Sequence, residues 1–360
     1  MSEVFILGAG FSKAISAQMP ITRELTDDVF KRFKQREDIP KEVRAMLQED
    51  FEKGLTYLAS ENPWLRESEN LRNRALYFDL THFIRAVIHR KSKEPFVWNT
   101  NQPPLWLEGL ITHWHKNRST VITLNYDTLI ERVASGIYWS SRQKSIYTGQ
   151  LYPIDLTPAG LRSSGILAQE KVDTFRLFKL HGSINWFYSG RSQFYGENLY
   201  FVPCQKGVDG AFDALLGSDP ESQDWEHVGD KIALIIPPIL DKQVFFQHES
   251  LRSMWFQAGQ AIRDAKKIVC MGYSLPTGDL TMSQFLKSSA PKEKIPFNLV
   301  DVSPKMEHFE QVIGNSLYDF QQEKVDEDCI PHFVVDHCVF NKNDQGKIVR
   351  DTQWQTKPKA

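Results

Sequence analysis

The chain has 360 residues, 41% of them hydrophobic and 24% charged, with a formal net charge of −2 and a pI near 6.6. That length and apolar content suffice for a large core, which predicts a soluble globular protein with one main domain and sizeable insertions. The balanced charge supplies no field to draw nucleic acid or an anionic membrane, so neither direct nucleic-acid binding nor membrane association is expected.

Val4, Phe5, Ile6 and Leu7 read as a short buried strand, and Gly8-Ala9-Gly10 turns it sharply into a helix starting near Ser12. A strand, a glycine turn and a helix together make a phosphate cradle. Glycine reaches backbone angles closed to other residues, and without a Cβ it lets N–H groups approach a pyrophosphate at the positive helix end. Gly8, Ala9, Gly10, Phe11 and Ser12 are therefore candidate dinucleotide contacts, with an ordinary strand-to-helix turn as the competing reading. The stretch departs from G-x-G-x-x-G: Lys13 stands where the third glycine belongs, and no acidic residue ends a second strand about twenty residues on. Both departures argue against a dehydrogenase.

From Arg23 to about Arg90, apolar residues such as Phe30, Phe33, Val43, Leu47, Leu80 and Ile84 recur at three- and four-residue spacing, which predicts amphipathic helices. Another helix is expected around Leu105 to His115. Its His113 and His115, two apart, point to different faces, so a solvated face is expected rather than a metal site. Ser119 to Asp127 reads as a strand ending in a polar loop, with Leu129 and Ile130 opening the next helix. Residues 140–172 read as an irregular excursion. Phe175 to Leu180 reads as a third strand, ending in His181-Gly182-Ser183, and 189–230 as a small insertion.

Regular alternation then returns: strand Ile232 to Ile236, helix Glu249 to Lys266, strand Ile268 to Tyr273, helix Leu280 to Ser289, strand Phe297 to Val302. A helix near Pro304, a strand His332 to Phe340 and a mobile polar tail follow. The expected fold is α/β: a Rossmann-like parallel sheet of about six strands with helices on both faces, plus a helical insertion and a smaller irregular one. The expected domains are 1–22 with 118–340 as the sheet domain, 23–117 as the helical insertion, 189–230 as an insertion inside the main domain, and 341–360 as the tail. Ile232 to Leu240, the longest apolar run, is broken by Pro237 and Pro238 and is too short to span a bilayer. With no signal peptide before the first strand, the expected location is the cytoplasm.

In such sheets ligands bind beyond the carboxyl ends of the strands. The residues there are GAGFS (8–12), TLNYD (123–127), HGS (181–183), GYSL (272–275) and DVS (301–303). Each taken singly is also what a helix cap or turn requires. Five such segments in this order resemble the sirtuin-like family: its G-A-G-x-S phosphate turn, T-x-N-x-D loop, catalytic H-G, G-x-S segment and late strand end. Deacylating sirtuins carry a four-cysteine zinc module between the H-G and G-x-S motifs, and only Cys204 lies in that interval. Cys204, Cys270, Cys329 and Cys338 contain no C-x-x-C pair, so no metal is expected.

The Tyr126-Asp127 pair is similar to the bacterial and phage-defence branch, whose members are commonly NAD hydrolases. The resemblance thus implies NAD as substrate and cleavage of its nicotinamide–ribose bond. Asn125 would orient water and ribose, Asp127 would favour positive charge nearby, and His181 would move a proton. Gly8 to Ser12, Thr123, Gly272, Ser274 and Asp301 would bind the dinucleotide. The alternatives are a protein deacylase or ADP-ribosyltransferase, and an NAD-responsive binding protein without turnover. Unregulated NAD cleavage would poison a host. Control by homo-oligomer assembly, or by a partner such as a motor ATPase or an Argonaute, is therefore expected.

Overall fold

The computed structural model describes residues 3–33, 39–93, 103–139, 144–146, 148–158, 172–188, 199–202, 231–237, 248–338 and 354–356. β1 (Glu3–Leu7) and α1 (Ala9–Ile15) open the chain, followed by α2 (Thr22–Phe33), α3 (Lys41–Glu49), α4 (Phe51–Ala59), α5 (Glu67–Lys93) and α6 (Leu105–Asn117). Next come β2 (Thr120–Thr123), α7 (Leu129–Gly136), β3 (Ile137–Trp139), β4 (Lys144–Ser145), β5 (Thr157–Pro158), β6 (Arg176–Lys179), β7 (Gly182–Tyr188), β8 (Tyr200–Phe201) and β9 (Ile232–Ile235). The last third holds α8 (Glu249–Arg263), β10 (Lys267–Met271), α9 (Leu280–Ser288), β11 (Ile295–Val300), α10 (Met306–Ile313), β12 (Tyr318–Gln322), α11 (Cys329–His337) and β13 (Trp354–Thr356).

Six of these strands make one parallel sheet in the order β12-β11-β10-β1-β2-β6. The chain moves outward from β1 to β2 and β6, then restarts on the other side of β1 and moves outward through β10, β11 and β12. Strand order therefore reverses between β1 and β10, where open α/β sheets form their ligand crevice. Helices surround the sheet, giving a Rossmann-like α/β fold. Continuous apolar runs build its centre, because a strand covered on both faces has no solvent side to mark with polar residues. Val4, Ile6, Val121, Ile122, Ile268 and Met271 are all buried. α6 lies against this sheet, with the Trp114 ring 5.5 Å from Phe5 and 5.6 Å from Phe175. The same core continues into α2, α4 and α5 through Phe33, Leu55 and Leu80.

Four expectations change. The stretch 332–340 is expected as a strand, but Cys329–His337 is a helix, and the sixth strand is Tyr318–Gln322. Val and Phe content suggests a strand at 332–340, whereas the buried positions Cys329, Ile330, Phe333 and Val334 follow helical spacing. In Tyr318–Gln322 Tyr318 and Phe320 are buried and Asp319 exposed, a short period-2 signal. Ile232–Ile235 leaves the parallel sheet and pairs antiparallel with β7 in a second sheet ordered β5-β8-β7-β9. The helix after the first strand starts at Ala9 rather than near Ser12. In the polar tail, Trp354–Thr356 pairs antiparallel with β3, while most of 189–230 and Cys204 lie outside the described residues.

His113 and His115 are also not on a solvated face. His113 Nε2 pairs with Glu3 Oε2 at 2.8 Å, and His115 Nδ1 with Thr174 Oγ1 at 2.9 Å. Both rings close the seam where α6 meets the sheet.

Candidate active site

At the reversal of strand order the backbones of β1 and β10 come unusually close. The Gly8 amide donates to Met271 O at 3.0 Å, the Gly10 amide to Gly272 O at 2.9 Å, and the Gly272 amide to Val300 O at 3.0 Å. Gly272 has φ +62°, and a Cβ there would stand 2.2 Å from the Phe11 nitrogen. A Cβ on Gly10 would stand 2.8 Å from Gly272 Cα. The glycines of GAGFS and GYSL are therefore required by each other, because no side chain fits between the two turns. The sequence assigns the glycines of GAGFS to the angles of a sharp turn and to ligand approach; the structure adds the packing of one turn against the other.

Directly beside this junction the β2 loop is tied to α1 through one hydroxyl. Ser12 Oγ donates to Asp127 Oδ2 at 2.6 Å and accepts from Asn125 Nδ2 at 2.8 Å. Asn125 Nδ2 also donates to Gly8 O at 2.7 Å, and the Asn125 amide donates to Thr123 Oγ1 at 3.1 Å. With its amide nitrogen committed twice, the Asn125 side chain keeps Oδ1 as its acceptor. Asp127 is 7% exposed, and its Oδ1 accepts from the Leu129 amide at 3.1 Å. It therefore opens α7 as an Asx-type turn and holds Ser12 at the same time.

His181 follows β6, on the same sheet edge as Gly8 and Asn125, because every strand of the sheet is parallel. It is 8% exposed, with its ring 6.5 Å from Tyr126 and 6.4 Å from Trp255. Tyr126 belongs to the Asn125 loop and donates to Ile236 O at 2.8 Å, and burial pushes its phenol well above the ordinary range. Trp255, from α8, donates to Leu180 O at 3.2 Å. Gly182 carries φ +78°, and a Cβ there would meet Leu234 O at 2.0 Å. The glycine of H-G thus lets β7 turn away beneath β9 while His181 stays at the edge.

Ser274 is exposed and Asp301 half-buried, at the ends of β10 and β11. Asp301 Oδ1 accepts from the Ser303 amide at 2.9 Å. Next to Ser274, Tyr273 donates to Asp279 Oδ2 at 2.8 Å, and Asp279 caps α9 through the Met282 amide. Gly8, Ala9, Gly10, Phe11, Ser12, Thr123, Asn125 and Asp127 form one bonded group. His181 reaches it through Tyr126, and Ser274 and Asp301 stand on the other side of the reversal.

Sequence reasoning passes over Lys179 and Glu131, each about 1% exposed in its side chain and paired at 2.9 Å. Lys179 also donates to the Asp127 carbonyl, and Tyr152 donates to Glu131 at 3.0 Å. A lysine inside the apolar run FRLFKL was the available signal, since a central strand buries a cation only with a partner. Among the described residues no group of three or more His, Cys, Asp or Glu could hold a metal ion. Among them no helix is long and apolar enough to cross a membrane.

No protein-family model and no curated protein matches the chain. Among solved structures, one described as "The Structural basis of Sirtuin Substrate Affinity" is similar, at 14% identity and a TM-score of 0.39. The match covers 93% of each chain.

Proposed function

We propose that this chain hydrolyses NAD at the nicotinamide–ribose bond, giving nicotinamide and ADP-ribose, as a regulated effector of defence against phage. One observation carries the reading: Ser12 joins Asn125 and Asp127 at the reversal of strand order, with His181 at the next strand end. A glycine turn alone serves many folds. A linked hydroxyl, carboxamide and carboxylate beside a histidine is a set that chemistry can use.

Nicotinamide leaves NAD as a neutral ring from a cationic one, so bond breaking needs no general acid. It needs a stabilised oxocarbenium-like centre and a placed water. Asn125 Oδ1, held by the two bonds on its nitrogen, orients that water or a ribose hydroxyl. Asp127 places negative charge behind the site and favours the cationic centre. Water attacks the anomeric carbon and surrenders one proton, which His181 accepts. Ser274, Asp301 and the glycine turn bind the rest of the dinucleotide. Strict control of such an activity is met by assembly or by a protein partner.

The test is nicotinamide release from NAD by the purified chain, alone and with candidate partners, beside NAD affinity. His181→Ala and Asn125→Ala are expected to lose about a hundredfold or more in release while retaining affinity, the pattern of contacts made in the transition state. Wild-type turnover by His181→Ala would remove the histidine from the mechanism. Faster turnover of an acyl-lysine peptide than of NAD with water would replace hydrolysis by deacylation.

A further inference from the structure

We infer that the buried Lys179–Glu131 pair is a positioning device for the candidate site, anchoring the Asn125–Asp127 loop to the strand that carries His181. The inference rests on the NAD-cleaving reading for its catalytic consequence, but the anchoring itself does not.

Lys179 is the last residue of β6, two before His181. From there its ammonium reaches under the neighbouring loop, donating to the Asp127 carbonyl and to Glu131 Oε1 at 2.9 Å. Asp127 stands in the loop two residues before α7 and Glu131 in the first turn of that helix, so the lysine ties the loop to the helix it leads into. An ammonium near a helix N-terminus opposes the helix dipole, and a wholly buried ion pair seldom repays the desolvation of its charges. An apolar pair of similar volume would serve packing as well. What an apolar pair cannot do is hold the Asp127 carbonyl in place. The same residue whose carbonyl is held presents its carboxylate to Ser12, and Ser12 orients Asn125. Lys179 therefore sets the spacing between Asn125 and His181 without touching substrate.

Removing Lys179 alone strands a buried carboxylate, so Lys179→Met is paired with Glu131→Gln, which also keeps an acceptor for Tyr152. In the full-length double variant, hydrogen exchange at the Asn125 and Leu129 amides is expected to quicken about tenfold. The Leu124 amide, bonded to Leu7 O within the sheet edge, is expected to exchange as before. Nicotinamide release should fall about ten- to a hundredfold with the NAD KM unchanged, as displacement of a positioned group by about 1 Å costs. Exchange at Asn125 and Leu129 identical to wild type would overturn the inference. Uniform acceleration throughout the chain would overturn it too, because the pair would then be a general stability element. A wild-type protein that neither binds NAD nor releases nicotinamide, alone or with candidate partners, would end the NAD reading, while the exchange measurement would still decide the anchoring.

Discussion

Ser12→Ala removes one oxygen and tests the bonded group at the sheet edge. The lost hydroxyl makes two bonds, a buried one of 2.6 Å to a carboxylate oxygen and a partly buried one of 2.8 Å from a carboxamide. A bond to a charged group contributes about 1.5–3 kcal/mol and a neutral one about 0.5–1.5 kcal/mol. Alanine returns about 0.5 kcal/mol through its better helix propensity within α1. Asp127 is too buried for water to replace the hydroxyl freely, so a net loss of about 1.5–4 kcal/mol is expected. At about 2.1 cal/mol/K of unfolding entropy per residue, a chain this long should melt about 2–5 °C lower. Calorimetry and denaturant titration measure the loss, with Ser16→Ala as control. Ser16 sits at the other end of α1 and accepts one long bond, 3.4 Å, from the Gln18 amide, so its loss should cost far less. Nicotinamide release by Ser12→Ala should fall more than its folded fraction does, because Asn125 loses one of the two anchors on its nitrogen. Stability within about 0.5 kcal/mol of wild type would refute the reasoning, since a bond between charged and polar groups at this burial cannot be worth so little.

Gly272→Ala should yield little folded protein, because the new Cβ meets the Phe11 nitrogen at 2.2 Å and the residue sits at φ +62°; a soluble variant with wild-type melting would show that the two turns can separate. Glu3→Gln tests the seam under α6. The bond to His113 holds the Glu3 carboxyl below its ordinary value of 4.5, against the opposing effect of burial. A depressed carboxyl stabilises fully above the unfolded value and loses that contribution as pH falls through the folded one. The stability gap between wild type and Glu3→Gln should therefore be full at pH 6 and shrink below about 4.5; a gap that widens on acidification would contradict the pairing.

Local physics wrote much of this chain plainly. Apolar runs at Val4–Leu7, Val121–Ile122, Leu177–Phe178 and Ile268–Met271 declare buried strands, since only a strand covered on both faces can be apolar without alternation. The residues that end those runs, glycine, asparagine, aspartate and histidine, mark the sheet edge for the same short-range reason. Partnership is not local. Ile232–Ile235 has the composition of a parallel strand, yet it pairs antiparallel with β7, because the Gly182 turn delivers β7 to it. Composition could not separate helix from strand at the C-terminal end, since Phe333, Val334 and Val335 suit either until burial selects a face. The glycines of two motifs far apart along the chain, Gly10 and Gly272, exist for each other's backbone. Lys179 is a charge in a strand until Glu131 and the Asp127 carbonyl are brought around it. Sequence alone determined the central apolar strands and the residues that end them, but not the strand at Tyr318–Gln322 or the helix at Cys329–His337; tertiary structure decided who faces whom, because burial, close approach and charge pairing depend on residues distant along the chain.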